Sequence, residues 1–166
     1  MDSPPMDTPP RPCRAHGPGL DPAALVGRRL TGVVAAWHVY EGRRDPVPVD
    51  VWLVDDSGGS TRVSSGTDWC LVVEASAPYE GYDMDEWGLI EVEPGDHLAP
   101  FARHLGEPVR GAREEFEPMT GRIAIELDFP SGGLRCESRD GDVLLRALGR
   151  PEPPGAARGG VPGAGS

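Results

Sequence analysis

The residues able to do chemistry in this chain are few, and their spacing argues against a catalytic centre. The folded region offers the histidines His38, His97 and His104 and the thiols Cys70 and Cys136. His97 and His104 stand seven residues apart, with Asp96 adjacent. On a continuous helix they would share a face and make a two-histidine, one-carboxylate metal triad. Pro100 lies between them and interrupts such a helix, so no metal site is expected. Cys13, Cys70 and Cys136 are odd in number, far apart and without a C-x-x-C pair. That pattern predicts neither a zinc site nor a disulfide framework. Cys70 sits in an apolar run, where cysteine acts as a small hydrophobe. The nucleophile-elbow, zinc-protease, phosphate-loop and dinucleotide motifs are absent. No catalytic residue and no cofactor are expected.

One stretch stands apart. Residues 78–88 read PYEGYDMDEWG, in which Tyr79, Tyr82 and Trp87 are interleaved with Glu80, Asp83, Asp85 and Glu86 and no base intervenes. Asp83, Asp85 and Gly88 fit positions one, three and six of a calcium-binding EF-hand loop. Trp87 then falls at position five and Pro94 at position twelve, where ligands are required, so the motif fails. Tyrosine and tryptophan offer large contact area at little entropic cost. A rim of carboxylates selects a basic partner and speeds the encounter. The stretch reads as a recognition loop, or else as a connector whose aromatics cover an open end of the core. Trp52 is out of phase with Val49, Val51 and Leu53, so it points to the other face of its strand. It joins the partner-binding set if that face is exposed and the core if it is covered. His38, Asp68 and Trp69 are the candidates for lining a pocket. Their other roles are core for Trp69 and a turn cap for Asp68.

The elements that must position these residues repeat along the chain. VGRRLTGV (26–33) matches LGEPVRGA (105–112), and VDVWLVDDSGGSTRV (49–63) matches IAIELDFPSGGLRC (123–136). GTDWCLVV (66–73) matches GDVLLRAL (141–148). Three blocks in the same order predict a duplication. Residues 49–54 and 123–128 alternate with period two, as half-buried strands do. Residues 60–64 and 133–138 are the return strands after Ser-Gly-Gly turns, and 69–76 and 142–148 are the fourth strands. DPAALVG (21–27) and PFARHLG (100–106) read as short helical turns, each with proline near its start and glycine at its end. Residues 88–93 fit an edge strand.

The predicted fold is all-β: a duplicated four-stranded antiparallel meander with a pseudo-two-fold, forming a sandwich or closed barrel. Halves 23–76 and 98–149 make one domain, 23–149, joined by the acidic–aromatic connector 77–97. Residues 1–22 hold seven of the nineteen prolines, and 150–166 are rich in Pro, Gly and Ala. Both are expected as disordered tails.

Tail charges cancel, so the formal charge of −11 falls on the domain. Such a surface argues against nucleic acid, which needs a basic patch. No apolar run reaches membrane-spanning or signal-peptide length, so a soluble, cytoplasmic protein without membrane contact is expected. All sixteen bases are arginine, and lysine, asparagine and glutamine are missing. That composition resembles the codon bias of a very GC-rich bacterial genome. In type alone, a small acidic domain with an aromatic–acidic loop resembles immunity or antitoxin proteins; no motif marks a named family. The first expectation is therefore a non-enzymatic domain that binds a basic protein through 78–88. The alternatives are a ligand-binding or catalytic barrel with a pocket between the halves, and a structural assembly domain.

Overall fold

The structure, a computed structural model, describes Cys13 and residues 16–149. The expected tails fall outside the described residues over 1–12, 14, 15 and 150–166. In chain order, a 3-10 turn at Pro22–Leu25 precedes β1 (Leu30–Tyr40), β2 (Arg43–Arg44), β3 (Asp50–Asp55), β4 (Ser60–Ser65) and β5 (Leu71–Ala75). The connector holds β6 (Tyr82–Asp83), a 3-10 turn at Asp85–Trp87 and β7 (Leu89–Pro94). After α1 (Ala99–Ala102) come β8 (Gly111–Glu117), β9 (Gly121–Phe129), β10 (Gly132–Arg139) and β11 (Asp142–Leu148).

The strands form two antiparallel sheets. One has the order β5-β4-β3-β1-β7-β6 with β2 also on β1, and the other has the order β11-β10-β9-β8. A closed barrel is not seen. The edge of β1 that closure would need is taken by β7, through pairings that run from Val34↔Pro94 to Val39↔Leu89. β7 is thus an interior strand, not the edge strand its sequence suggests, and the two-residue β6 forms the edge.

Alternation decides what each face buries. Val33, Ala35 and Trp37 of β1, Val51 and Leu53 of β3, and Leu71 and Val73 of β5 point to one side. They pack against Ile125, Leu127, Phe129, Leu134 and Val143 of the second sheet, forming one shared core. Phe101 of α1 and Val109 close its end. The opposite face of the larger sheet carries a second apolar cluster, Ala36, Trp52 and Ile90. The hairpin between β3 and β4 is set locally: Gly58 takes φ +81°, and the Asp55 carboxylate accepts from the Ser57 backbone N–H at 2.9 Å.

The segment before β1 is packed onto the domain. The Leu20 N–H donates to the Val73 carbonyl at 2.7 Å, and the buried Arg122 guanidinium donates to the carbonyls of Leu71 and Leu20 and to Glu114. Asp21 caps the Pro22–Leu25 turn by accepting from Ala23 N–H.

Cys13 and Cys70 form a disulfide across a sequence separation of 57 residues, which corrects the reading drawn from cysteine number and spacing. An odd count leaves room for one pair, and spacing is uninformative when the bridge joins distant segments. Cys136 is free, and burial pushes its thiol up to about 12. A disulfide is at home in oxidising compartments, so it lends no support to the cytoplasmic expectation. No helix among the described residues is long and apolar enough to cross a membrane.

Loop-closure entropy for a bridge of this span amounts to about 4 kcal/mol. Metal-free protein should therefore lose stability on that scale when reduced, read as a lower urea midpoint. Cys70→Ala should show the same loss, with no further effect of reductant. A midpoint indifferent to reductant would mean the bridge does not constrain the fold.

Candidate functional surface

The connector is built from the inside outward. After β5, the chain turns back over the second apolar cluster and sets Tyr79 edge-on against Trp52, with ring centroids 4.9 Å apart. Trp52 is 0% exposed beneath it. Its placement in the partner-binding set is therefore corrected: the face opposite Val51 and Leu53 is covered by the connector itself. The Tyr79 hydroxyl donates to the Asp50 carboxylate, and burial followed by this bond raises its pKa well above the ordinary tyrosine value. Asp50 also lies 3.9 Å from Arg62, which pairs with Glu74 at 2.8 Å. Met84 packs half-buried beside the same cluster.

Beyond Tyr79 the loop turns outward and is held at several points. Tyr82 and Asp83 pair with Ile90 and Leu89. The Met84 N–H donates to the Gly88 carbonyl at 2.8 Å, and Asp83 accepts from the Asp85 N–H at 2.8 Å. Asp85 sits at φ +55°, a conformation that aspartate tolerates better than most residues. Gly88 is required by space: a Cβ there would stand 2.2 Å from the Val39 carbonyl oxygen. His38 Nε2 lies 2.7 Å from the Trp87 carbonyl and donates to it, while Nδ1 lies 3.4 Å from Asp45. The outcome is a braced loop that presents Tyr82 at 51% and Trp87 at 70% exposure. Glu80, Asp83, Asp85 and Glu86 are exposed around them. None of the ion pairs among the described residues includes any of these four carboxylates. The nearby Arg44 is engaged by Glu91 and Glu93 and lies over the Trp37 ring.

The candidate pocket trio serves separate places. His38 braces Trp87. Asp68 lies against Cys13 and accepts from the Cys70 N–H at 3.4 Å. Trp69 stands at the tip of the β4–β5 turn with φ +65° and 60% exposure, outside both core and pocket. The cavity between the sheets is about 20 Å³ and is lined by apolar side chains with Arg28 and Asp55 at its rim. That is room for a single water. His97 stacks on Trp37, whereas His104 is buried against Phe129 at 4.4 Å, so the two histidines do not converge.

Sequence reading missed one polar cluster. His104 Nδ1 lies 3.0 Å from Glu107, and Ser131 Oγ lies 2.5 Å from the same carboxylate and 3.1 Å from the same nitrogen. Serine, imidazole and carboxylate meet, but in the wrong order for nucleophilic catalysis. Acid and hydroxyl share one ring nitrogen, and Nε2 is buried without a partner. The cluster locks the β9–β10 turn onto the segment after α1. The available signal was the His-x-x-Glu spacing, together with a serine already assigned to a turn. Compared with known protein families, curated proteins and solved structures, the chain has no significant match.

Two outcomes follow for stability. Tyr79→Ala should cost about 2–4 kcal/mol by uncovering Trp52, whereas Trp87→Ala should stay within about 0.5 kcal/mol, both read from chemical melts. Burial alone would raise the Glu107 pKa, but Ser131 and His104 hold it below the ordinary value. Its contribution is present in full above the ordinary glutamate value of about 4.3. It is lost as pH falls through the lowered folded-state value. The stability gap between wild type and Glu107→Gln should therefore be widest near neutrality and close in acid. A gap that is constant with pH would show that the Glu107 charge is not what the cluster uses.

Proposed function

We propose that this domain binds a basic protein partner through the 78–88 surface, with Tyr82 and Trp87 as anchors and Glu80, Asp83, Asp85 and Glu86 as the charged rim. The observation that carries the reading is the combination at one braced loop. Two large aromatics stand exposed among four carboxylates left out of every ion pair among the described residues, while half of the domain's twelve arginines pair with carboxylates elsewhere. Rigid aromatic anchors lose little entropy on docking, and a rim of one charge sign steers an oppositely charged partner. Mechanistically this is occlusion: the anchors insert while the carboxylates meet lysines or arginines around the covered site. Immunity and antitoxin proteins act in this general way, and the resemblance is one of type. The two four-stranded runs also read as copies of one unit. Their common strand order supports that reading, as does a Ser-Gly-Gly at each corresponding hairpin, lying in the turn of the first run and leading into β10 in the second.

A small-molecule site gains less support. The groove between Pro46–Pro48, Leu98 and Leu144 measures about 210 Å³. Small-molecule sites usually span roughly 300–1,000 Å³.

The test compares immobilised wild type with Tyr82→Ala/Trp87→Ala, after matched melting temperatures show both to be folded. Extract of the source cell should yield a basic protein retained by the wild type, released as salt rises and absent from the variant eluate. Equal retention by both proteins, or retention indifferent to salt, would overturn the reading.

A further inference from the structure

The corner around the disulfide gathers more donor atoms than a bridge needs. Ligand atoms of Cys13, Asp68 and Cys70 all lie within 4.8 Å of one another. Cys13 Sγ is 3.4 and 3.6 Å from the two Asp68 oxygens. A fourth donor, His16 Nε2, stands outside this 4.8 Å group and is located through Gly66. The point where a Gly66 Cβ would stand lies 2.9 Å from His16 Nε2, 3.0 Å from Asp68 Oδ1 and 3.0 Å from Cys70 Sγ. Three different side chains thus aim a nitrogen, an oxygen and a sulfur at one point beside a buried glycine. Gly66 is not among the glycines with positive φ. The backbone there does not demand glycine, whereas the space does, because any side chain would fill the point the donors face.

We propose that Cys13, His16, Asp68 and Cys70 form a redox-gated site for a thiophilic divalent cation, with Zn²⁺ as its type. The donors come as two short chelates, Cys-x-x-His from the segment before β1 and Asp-x-Cys from the β4–β5 turn. Two thiolates, an imidazole and a carboxylate suit a tetrahedral, borderline-soft ion. Zinc bonds of about 2.0–2.3 Å place tetrahedral ligand atoms roughly 3.3–3.8 Å apart. The Cys13–Asp68 separations already fall in that range. Asp68 is oriented by the Cys70 N–H, which supplies an outer-shell contact. Cys13 and Cys70 are buried and His16 is exposed, so an ion would enter from the histidine side.

The gate is the bond between the sulfurs. In the disulfide neither sulfur is a thiolate, and the site lacks half its ligands. A dithiol reductant gives two electrons and two protons to the bridge and leaves as its own disulfide, and the corner then holds two thiols. The cation displaces both thiol protons to solvent and is bound by the two thiolates, His16 and Asp68. Oxidised and reduced forms thereby hold the same two segments together, once by a covalent bond and once by a metal.

The test uses the full chain reduced by a phosphine, which leaves no competing thiol, under argon. Titration with Co²⁺ should give a thiolate-to-cobalt charge-transfer band and tetrahedral ligand-field bands that saturate at one equivalent. Zn²⁺ should bleach them and restore melting temperature lost on reduction. His16→Ala and Asp68→Ala, whose disulfides should still form, should each weaken Co²⁺ binding by at least about tenfold, since even outer-shell partners contribute that much. Reduced Cys13→Ser/Cys70→Ser should show no band, which excludes Cys136 as the source. The proposal is overturned if reduced wild type gives no charge-transfer band. It is equally overturned if His16→Ala and Asp68→Ala bind as tightly as wild type, or if the disulfide form binds as tightly as the reduced one.

Discussion

A sheet that is apolar on both faces must be covered twice, and β1 is where this constraint is sharpest. Val33, Ala35 and Trp37 face one side, and Val34 and Ala36 face the other. The second sheet covers the first side. Nothing in either four-stranded run covers the other, so the chain after β5 does it, laying Tyr79 over Trp52 and continuing into strands that pair with the free edge of β1. That route excludes barrel closure, because the edge is spent. It also fixes where residues 80–88 emerge. The exposed surface is the outward remainder of a segment whose first task is to keep water off Trp52.

This explains what the sequence disclosed and what it withheld. Val51, Trp52 and Leu53 announce a strand by alternation, and they announce that Trp52 faces away from its neighbours. Alternation cannot say what lies on that side, since the cover comes from residues about 27 positions later whose aromatics look equally suited to solvent. Within PYEGYDMDEWG, Tyr79 and Tyr82 are alike in type and differ only in where the chain turns. Leu89 and Ile90 read as an edge strand because they are short and flanked by acids. Their place between β1 and β6 is settled by long-range pairing, which no local window contains.

The cysteine corner was illegible for a different reason. Residues 1–22 average out as proline-rich, and the average hides Cys13, Leu20 and Pro22, each of which meets the domain. The partners that hold this segment, the Val73 carbonyl and the Arg122 guanidinium, belong to strands far along the chain. Arg122 is 1% exposed, an unusual position for a guanidinium, and its burial is tolerable because Glu114 and two carbonyls take its donors. By composition it is only one arginine among sixteen.

The charge pattern and the sheet order together separate the two surfaces. Arg28, Arg44, Arg62, Arg122 and Arg135 are each engaged by carboxylates of the framework, so the acidity of the domain is locally balanced there. It is not balanced at Glu80, Asp83, Asp85 and Glu86, where the field projects into solvent over a screening length of about 8 Å at physiological salt. The disulfide corner adjoins β5, one edge of the larger sheet, and Tyr82 lies in β6, the other. Five strand spacings of about 4.8 Å put these edges roughly 24 Å apart. Sites so distant, with no shared partner, contribute nearly independently to stability. Evolution can therefore alter the exposed residues of the 80–88 loop without disturbing the staple at the far edge. Tyr79 and Met84 both tie that loop to the second apolar cluster, and Tyr79, set directly over Trp52, is the residue least free to change.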